Sequence, residues 1–223
     1  MSGLQTLSEG VGDHCYRRIR QDIIFGRLAP GERLKLERMK DDYNVSLSTI
    51  RELLNRLSSE GLVMAEGRRG FEVSPVSEQD LRELASMRLL LESHALRNSF
   101  AEGDIEWEGR VVGAHHKLAL LERKMLDGDH SQAQTWKRYD REFHHELISA
   151  CGSRALLETH STIYDNYLRY QIVAFIFRGQ IAADEHRYML ECALKRDAER
   201  AISVLETHIQ GCVEETLSRG LSG

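Results

Sequence analysis

The sequence predicts a mainly α protein in two parts. Residues 1–75 read as an N-terminal winged helix-turn-helix with a small β-hairpin, and residues 76–223 as an antiparallel bundle of about six helices. Three observations predict it. Apolar residues recur at three- and four-residue spacing through most of the chain. The two short β-prone runs, Leu62-Val63-Met64-Ala65 and Gly70-Phe71-Glu72-Val73, sit close together and are separated by Glu66-Gly67-Arg68-Arg69. After Pro75 there is no further proline and no strand-like alternation.

In the first part, Tyr16, Ile19, Ile23 and Ile24 form an apolar stripe that stops at Gly26. The Pro30-Gly31 pair marks a turn, and Leu34, Met39 and Tyr43 are the expected buried positions of a second helix running from Leu34 to Tyr43. Asn44, which tolerates positive φ, can close that helix. Ser46 or Ser48 can cap a third, whose stripe is Ile50, Leu53, Leu54 and Leu57 and whose stop is Gly61. That pattern leaves Ser46, Ser48, Thr49 and Arg51 on the outer side of its first turn. Small hydroxyls and one arginine there are what a helix needs to read base edges in a major groove. Arg68 and Arg69 at the hairpin tip suit phosphates or a minor groove. A packing role alone would give neither set a purpose.

These residues resemble the GntR-type bacterial transcription regulators. The likeness is carried by Pro30-Gly31-Glu32-Arg33-Leu34, Val45-Ser46, Arg51-Glu52, Leu54, Leu57, Glu60-Gly61-Leu62-Val63 and Arg69-Gly70-Phe71. It implies double-stranded operator DNA as the partner and adds Arg33 to the DNA-binding set. In that family the segment at Ser46 to Arg51 usually carries two arginines that contact DNA. Here Leu47 replaces the first, so only Arg51 carries over, and the family's usual operator does not follow.

Residues 1–75 hold twelve Lys or Arg against eleven Asp or Glu, so no broad basic field covers this part, within a chain of net charge −5. One such head neutralises few phosphates and should bind weakly. Affinity is expected from a homodimer with two heads in successive major grooves, about 34 Å apart. The sequence has no sustained apolar run at Met1–Gly12 and no stretch near the ~20 residues of a membrane helix, which predicts a cytoplasmic protein without a membrane partner. Cys15, Cys151, Cys192 and Cys212 are scattered, pointing to free thiols.

Ser77 with Asp80 opens the second part. Helices are expected at 78–102, 104–127, 131–150, 153–178, 180–195 and 197–219, the last capped by Asp197. Leu81, Leu84, Met87 and Leu91 mark the inner face of the first, and Leu118, Leu121 and Met125 that of the second. Nine of the ten histidines follow residue 93. Asp140 and His144, one turn apart, lie on the stripe of Trp136, Phe143 and Leu147. His186 leads Met189, Leu190 and Ala193, and His208 follows Ala201, Val204 and Leu205. Burying these groups without a shared partner would cost several kcal/mol. One carboxylate and three imidazoles suit Zn²⁺, Ni²⁺ or Mn²⁺ better than Ca²⁺ or Mg²⁺. His160 and Tyr164 lie on stripes and can line a ligand pocket or pack in the core. His115 and His116 read as surface residues, and His145 as a flank.

The second part resembles the FCD branch of that family, with Tyr139-Asp140-Arg141-Glu142-Phe143-His144 as its most diagnostic string. The resemblance implies that residues 76–223 bind an effector and dimerise. It also implies that Asp140, His144, His186 and His208 hold a metal, that the metal holds a small carboxylate-bearing effector, and that Arg88 assists it. A repressor is the commoner outcome in the family. The rival reading, a metalloenzyme activating water, lacks a recognisable partner acid or nucleophile, so no enzyme is expected.

Overall fold

The computed structural model describes residues 10–67, 70–174 and 176–221. The chain divides into two compact units between Val76 and Ser77.

The first unit runs α1 (Val11–Ile24), β1 (Arg33–Leu34), α2 (Leu36–Tyr43), α3 (Leu47–Ser59), β2 (Val63–Ala65) and β3 (Phe71–Val73). Its core holds the predicted Tyr16, Ile19, Ile23, Ile24, Met39, Ile50, Leu53, Leu54 and Leu57, joined by Leu62, Val63 and Val73, while Tyr43, expected in it, is only half-buried because its hydroxyl reaches out to Asp22. Each large aliphatic buried this way contributes roughly 1.5–3 kcal/mol. Charge fastens the helices together at two points. Glu60, at the end of α3, accepts from the Tyr16 hydroxyl and from Arg20 Nε at 3.1 Å, both on α1. Asp22, buried on α1, accepts from the Tyr43 hydroxyl at 2.8 Å and from Arg27 at 3.0 Å. Asn44 takes the left-handed conformation, φ 52°, that ends α2.

Leu34 is buried, but on a strand instead of the start of α2. Lys35 is extended at φ −79°, ψ 105°, so the helix begins at Leu36, and Arg33–Leu34 pair antiparallel with Phe71 and Glu72. The expected hairpin is thereby a three-stranded sheet of order β1-β3-β2. A two-residue strand has no periodicity to announce it.

The second unit contains α4 (Glu78–Glu102), α5 (Ile105–Leu126), α6 (Ala133–Ile148), α7 (Arg154–Val173), α8 (Gln180–Leu194) and α9 (Ala198–Arg219). Helix α4 packs on α7 and α9, α5 on α6 and α8, and α8 on α9. Side-chain oxygens of Ser77, Asp104, Ser153 and Asp197 accept backbone N–H bonds at the starts of α4, α5, α7 and α9, satisfying donors the helix itself cannot. Helix α7 ends at Val173, short of the expected 178. Ala174 N still bonds to Tyr170 O, and the chain then leaves the helix and reaches α8 through Gly179 at φ 59°.

The inner face of α4 is rotated from the expected stripe. Met87 is 40% exposed, and Leu84 and Leu91 are half-buried, while Leu81, Ala85, Arg88, Glu92, Ala95 and Leu96 are buried. The apolar pattern misleads because the middle of this face is an ion pair.

Candidate functional site

In the first unit the α3 start is an ordered hydroxyl cluster. Ser46 Oγ accepts from Thr49 N at 3.1 Å and lies 2.7 Å from Ser48 Oγ and 2.8 Å from Thr49 Oγ1. Ser46 is therefore the cap, Ser48 the outward hydroxyl, and Thr49 half-buried. Arg51 is exposed and has no ion-pair partner among the described residues, and Arg33 is exposed on β1. Arg68 and Arg69 lie outside the described residues.

In the second unit three helix faces meet. Asp140 and His144 from α6, His186 from α8 and His208 from α9 each bring one ligand atom into a set lying within 4.8 Å of one another, all four residues buried. Each imidazole is held from behind by a carboxylate. His186 Nδ1 lies 2.6 Å from Glu122 Oε1 on α5. His208 Nδ1 lies 2.8 Å from Glu185 Oε2 on α8, and Glu185 takes both arms of the Arg178 guanidinium at 2.8 and 3.0 Å. His144 Nδ1 lies 3.2 Å from both Glu92 Oε2 and Arg88 Nη2. Since Arg88 Nε is already committed to Glu92 at 2.5 Å, the consistent arrangement has the Nδ1–H donating to that carboxylate.

A proton fixed on Nδ1 puts the lone pair on Nε2. His144 Nε2 and His186 Nε2 are buried with no hydrogen-bond partner. His186 Nε2 comes within 3.3 Å of Asp140 Oδ1 without hydrogen-bond geometry. Unpartnered buried nitrogens facing a carboxylate oxygen fit a metal ion, and a carboxylate behind each imidazole is the usual means of fixing ring orientation and raising ligand basicity.

The electrostatics agree. Burial pushes His208 down to about 3, helped by the neighbouring His186 and His144 and opposed by Glu185. Burial and Arg88 also lower His144. For His186, burial is outweighed by Glu122 and Asp140, so it is raised. Burial opposes ionisation of Asp140, but Lys137 and the three imidazoles hold it well below the usual carboxylate range. A deprotonated carboxylate beside mostly neutral imidazoles is what a metal needs.

Other expected site residues fall differently. Tyr164 donates its hydroxyl to Asp140 Oδ2 at 2.9 Å, so it touches the cluster directly. His160 lies behind it, with Nε2 3.0 Å from Glu92 Oε1. Arg88 is 1% exposed, paired with Glu92 and stacked 4.2 Å from the Tyr164 ring centroid and 4.9 Å from that of Tyr167. His115 is half-buried, stacked edge-on against Phe143 at 5.3 Å with an unpartnered buried Nε2, and is not a surface residue. His116 is exposed. The carboxylates of Glu92, Glu122 and Glu185 and the cations Lys137 and Arg178 were missed. Glu122 interrupts the Leu118, Leu121, Met125 stripe, which marks it as a charge on a buried face, whereas Glu92, one turn after Arg88, lies off the expected α4 stripe and carries no such mark.

The sequence profile of the bacterial regulatory proteins of the gntR family matches residues 12–73, and that of the FCD domain matches residues 83–211. The HTH-type transcriptional regulator BphR of Paraburkholderia xenovorans is 41% identical over 209 residues, covering 92% of this chain and 85% of that protein. The chain belongs to the GntR family, with an FCD domain. It is a DNA-binding transcriptional regulator of that type and not an enzyme. The HTH-type transcriptional repressor GlaR of Escherichia coli is 28% identical over 201 residues, covering 87% of this chain and 90% of its own length. Escherichia coli McbR/YncC shares the fold at a TM-score of 0.80 and 17% identity, covering 94% of this chain and 98% of that one. No described helix is long and apolar enough to cross a membrane.

Proposed function

We propose that this GntR/FCD regulator is a repressor whose operator affinity is controlled by a small carboxylate-bearing metabolite bound at a divalent metal held by Asp140, His144, His186 and His208. The observation that carries the reading is the convergence of four ligand atoms within 4.8 Å, with a carboxylate behind each imidazole. The donor set of one oxygen and three nitrogens suits Zn²⁺, Ni²⁺ or Mn²⁺. Metal bound there supplies a Lewis-acidic centre that a carboxylate can complete. Charge favours an anion as well. Arg88, Lys137 and Arg178 face Asp140, Glu92, Glu122 and Glu185, so a dication leaves the buried cluster one positive charge in excess.

The DNA-reading surface in this proposal is the α3 first turn, with Arg51 and Ser48 outward, Thr49 beside them and Ser46 as cap, together with Arg33; Arg68 and Arg69, outside the described residues, join the set on the sequence alone. Two copies form the active homodimer, because a single head of this charge grips few phosphates. A carboxylate effector acts only by favouring one arrangement of the heads over another. The metal reading is tested by elemental analysis of the full chain: His186→Ala and His208→Ala lose the bound metal, and wild-type metal content in both sinks it. Footprinting tests the DNA reading. Arg51→Ala lowers operator affinity by about 1–3 kcal/mol, and an unchanged titration midpoint refutes the assignment.

A further inference from the structure

Beside the metal cluster, on the side where the start of α6 faces the end of α7, lies a cavity of about 210 Å³ walled by Trp136, Lys137, Gln171, Ile172 and Ile176. Three features mark it as built. Lys137 is 5% exposed, yet its ammonium points into protein, donating to Gln171 Oε1 at 2.7 Å and lying 4.2 Å from the Trp136 ring centroid. Gln171 is itself fixed by an Nε2–H bond to the Tyr167 hydroxyl at 3.3 Å. The Trp136 indole N–H is buried with no partner. The carboxylate closest to Lys137 is Asp140, with Oδ2 at 3.7 Å, and that oxygen already accepts from Tyr164.

Resting on the proposed metal reading, we propose that Lys137 and the Trp136 N–H form a second anion subsite, which receives a distal carboxylate of the effector while the metal takes the first. When Asp140 is engaged by a dication, its charge no longer compensates Lys137. A buried ammonium beside a metal then requires a counter-anion, and the cavity that Lys137 and Trp136 help to wall supplies room for one. The class of effector is therefore a dicarboxylate, preferred over a monocarboxylate of the same headgroup.

The test uses the full-length, Zn²⁺-loaded protein titrated calorimetrically with acetate and with succinate. Wild type binds succinate at least about tenfold more tightly than acetate, about 1.4 kcal/mol. In Lys137→Met, which keeps its metal, that preference falls to about threefold or less while acetate binding stays. Trp136→Phe, which keeps the ring and removes the N–H, lowers the preference by about threefold, and decides the matter if Lys137→Met does not fold. Metal-dependent acetate binding with the same succinate preference in wild type and variants overturns the second subsite alone. No metal-dependent binding of either acid in wild type overturns the metal reading and the subsite with it.

Discussion

Gly211 sits inside α9, one position before Cys212, and the space above it belongs to Arg178. A Cβ there would lie 2.4 Å from Arg178 Nη2, 2.5 Å from Cζ and 3.0 Å from Nε. Gly211→Ala therefore expels the guanidinium, since the backbone of a helix yields less readily than the end of a side chain. The expelled group now holds Glu185 through two bonds, at 2.8 and 3.0 Å, and donates to His208 O at 3.2 Å. Alanine favours the helix by about 0.8–1 kcal/mol. Loss of a charge-assisted pair whose members are each about a tenth exposed costs about 1.5–3 kcal/mol. The net effect is destabilisation by about 0.5–2 kcal/mol, a balance in which the lost pair outweighs the gained propensity. Metal affinity falls further. Glu185 without Arg178 orients His208 less well, and such outer partners are worth about 10–100-fold in affinity. Competition between the protein and a chromophoric chelator for Zn²⁺, run with a urea titration of the metal-free protein, measures both quantities. Unchanged zinc affinity with raised stability would show that the Arg178 clamp does nothing for His208.

Glu122→Gln keeps an acceptor for the His186 Nδ1–H but removes its charge, and lowers zinc affinity about tenfold or more in the same chelator assay. Equal affinity would mean that Glu122 only fills space. Ser46→Ala removes the α3 cap and destabilises the protein by about 0.5–2 kcal/mol in urea melts, with operator binding weakened because the hydroxyl cluster of Ser48 and Thr49 loses its anchor; a melt superimposable on wild type contradicts it. In the metal-free protein, burial pushes His208 down to about 3 from the ordinary 6.5, so the unfolded chain binds the extra proton between those values. Stability contributed by this group is present above pH 6.5 and lost as pH falls toward 3. His186, raised by Glu122, acts oppositely and loses its contribution as pH rises through its folded value. Urea midpoints of His208→Gln between pH 7 and 5 fall less steeply than those of wild type, and parallel curves would refute the assignment.

Helix α3 was legible because its signals are local. Ile50, Leu53, Leu54 and Leu57 repeat with helical period, Ser46 precedes them and Gly61 follows, and nothing distant decides the outcome. Strand β1 was illegible for the converse reason: Arg33 and Leu34 become a strand only because Glu72 and Phe71 lie alongside. In the bundle, the inward positions of Asp140, His144, His186 and His208 were visible because each sits on an apolar stripe. The pairings behind them were not, since Glu122, Glu185 and Glu92 come from 64, 23 and 52 residues away from the imidazoles they hold. The same blindness displaced the inner face of α4. Periodicity counts Met87 and Leu91 as core and Arg88 and Glu92 as surface, whereas a paired guanidinium and carboxylate can occupy the centre of a bundle.

That centre has a consequence for the stability of the domain. A layer that holds Arg88, Glu92, Glu122, Lys137, Asp140 and three histidines at under about a tenth exposure forgoes the apolar packing that would otherwise fill it. Buried ion pairs of this kind roughly break even at best, and the unpartnered Nε2 atoms of His144 and His186 are a net cost. A divalent ion binding only the folded form reverses the sign, contributing about 4.1 kcal/mol when free metal stands at a thousand times its dissociation constant. The metal-free domain should thus melt lower than the zinc-loaded one by a margin that grows with free zinc. In Asp140→Ala, which leaves Lys137 without its counter-charge, that dependence should collapse. Zinc that raises the melting temperature of Asp140→Ala as much as that of wild type would place the stabilising ion somewhere other than among these four side chains.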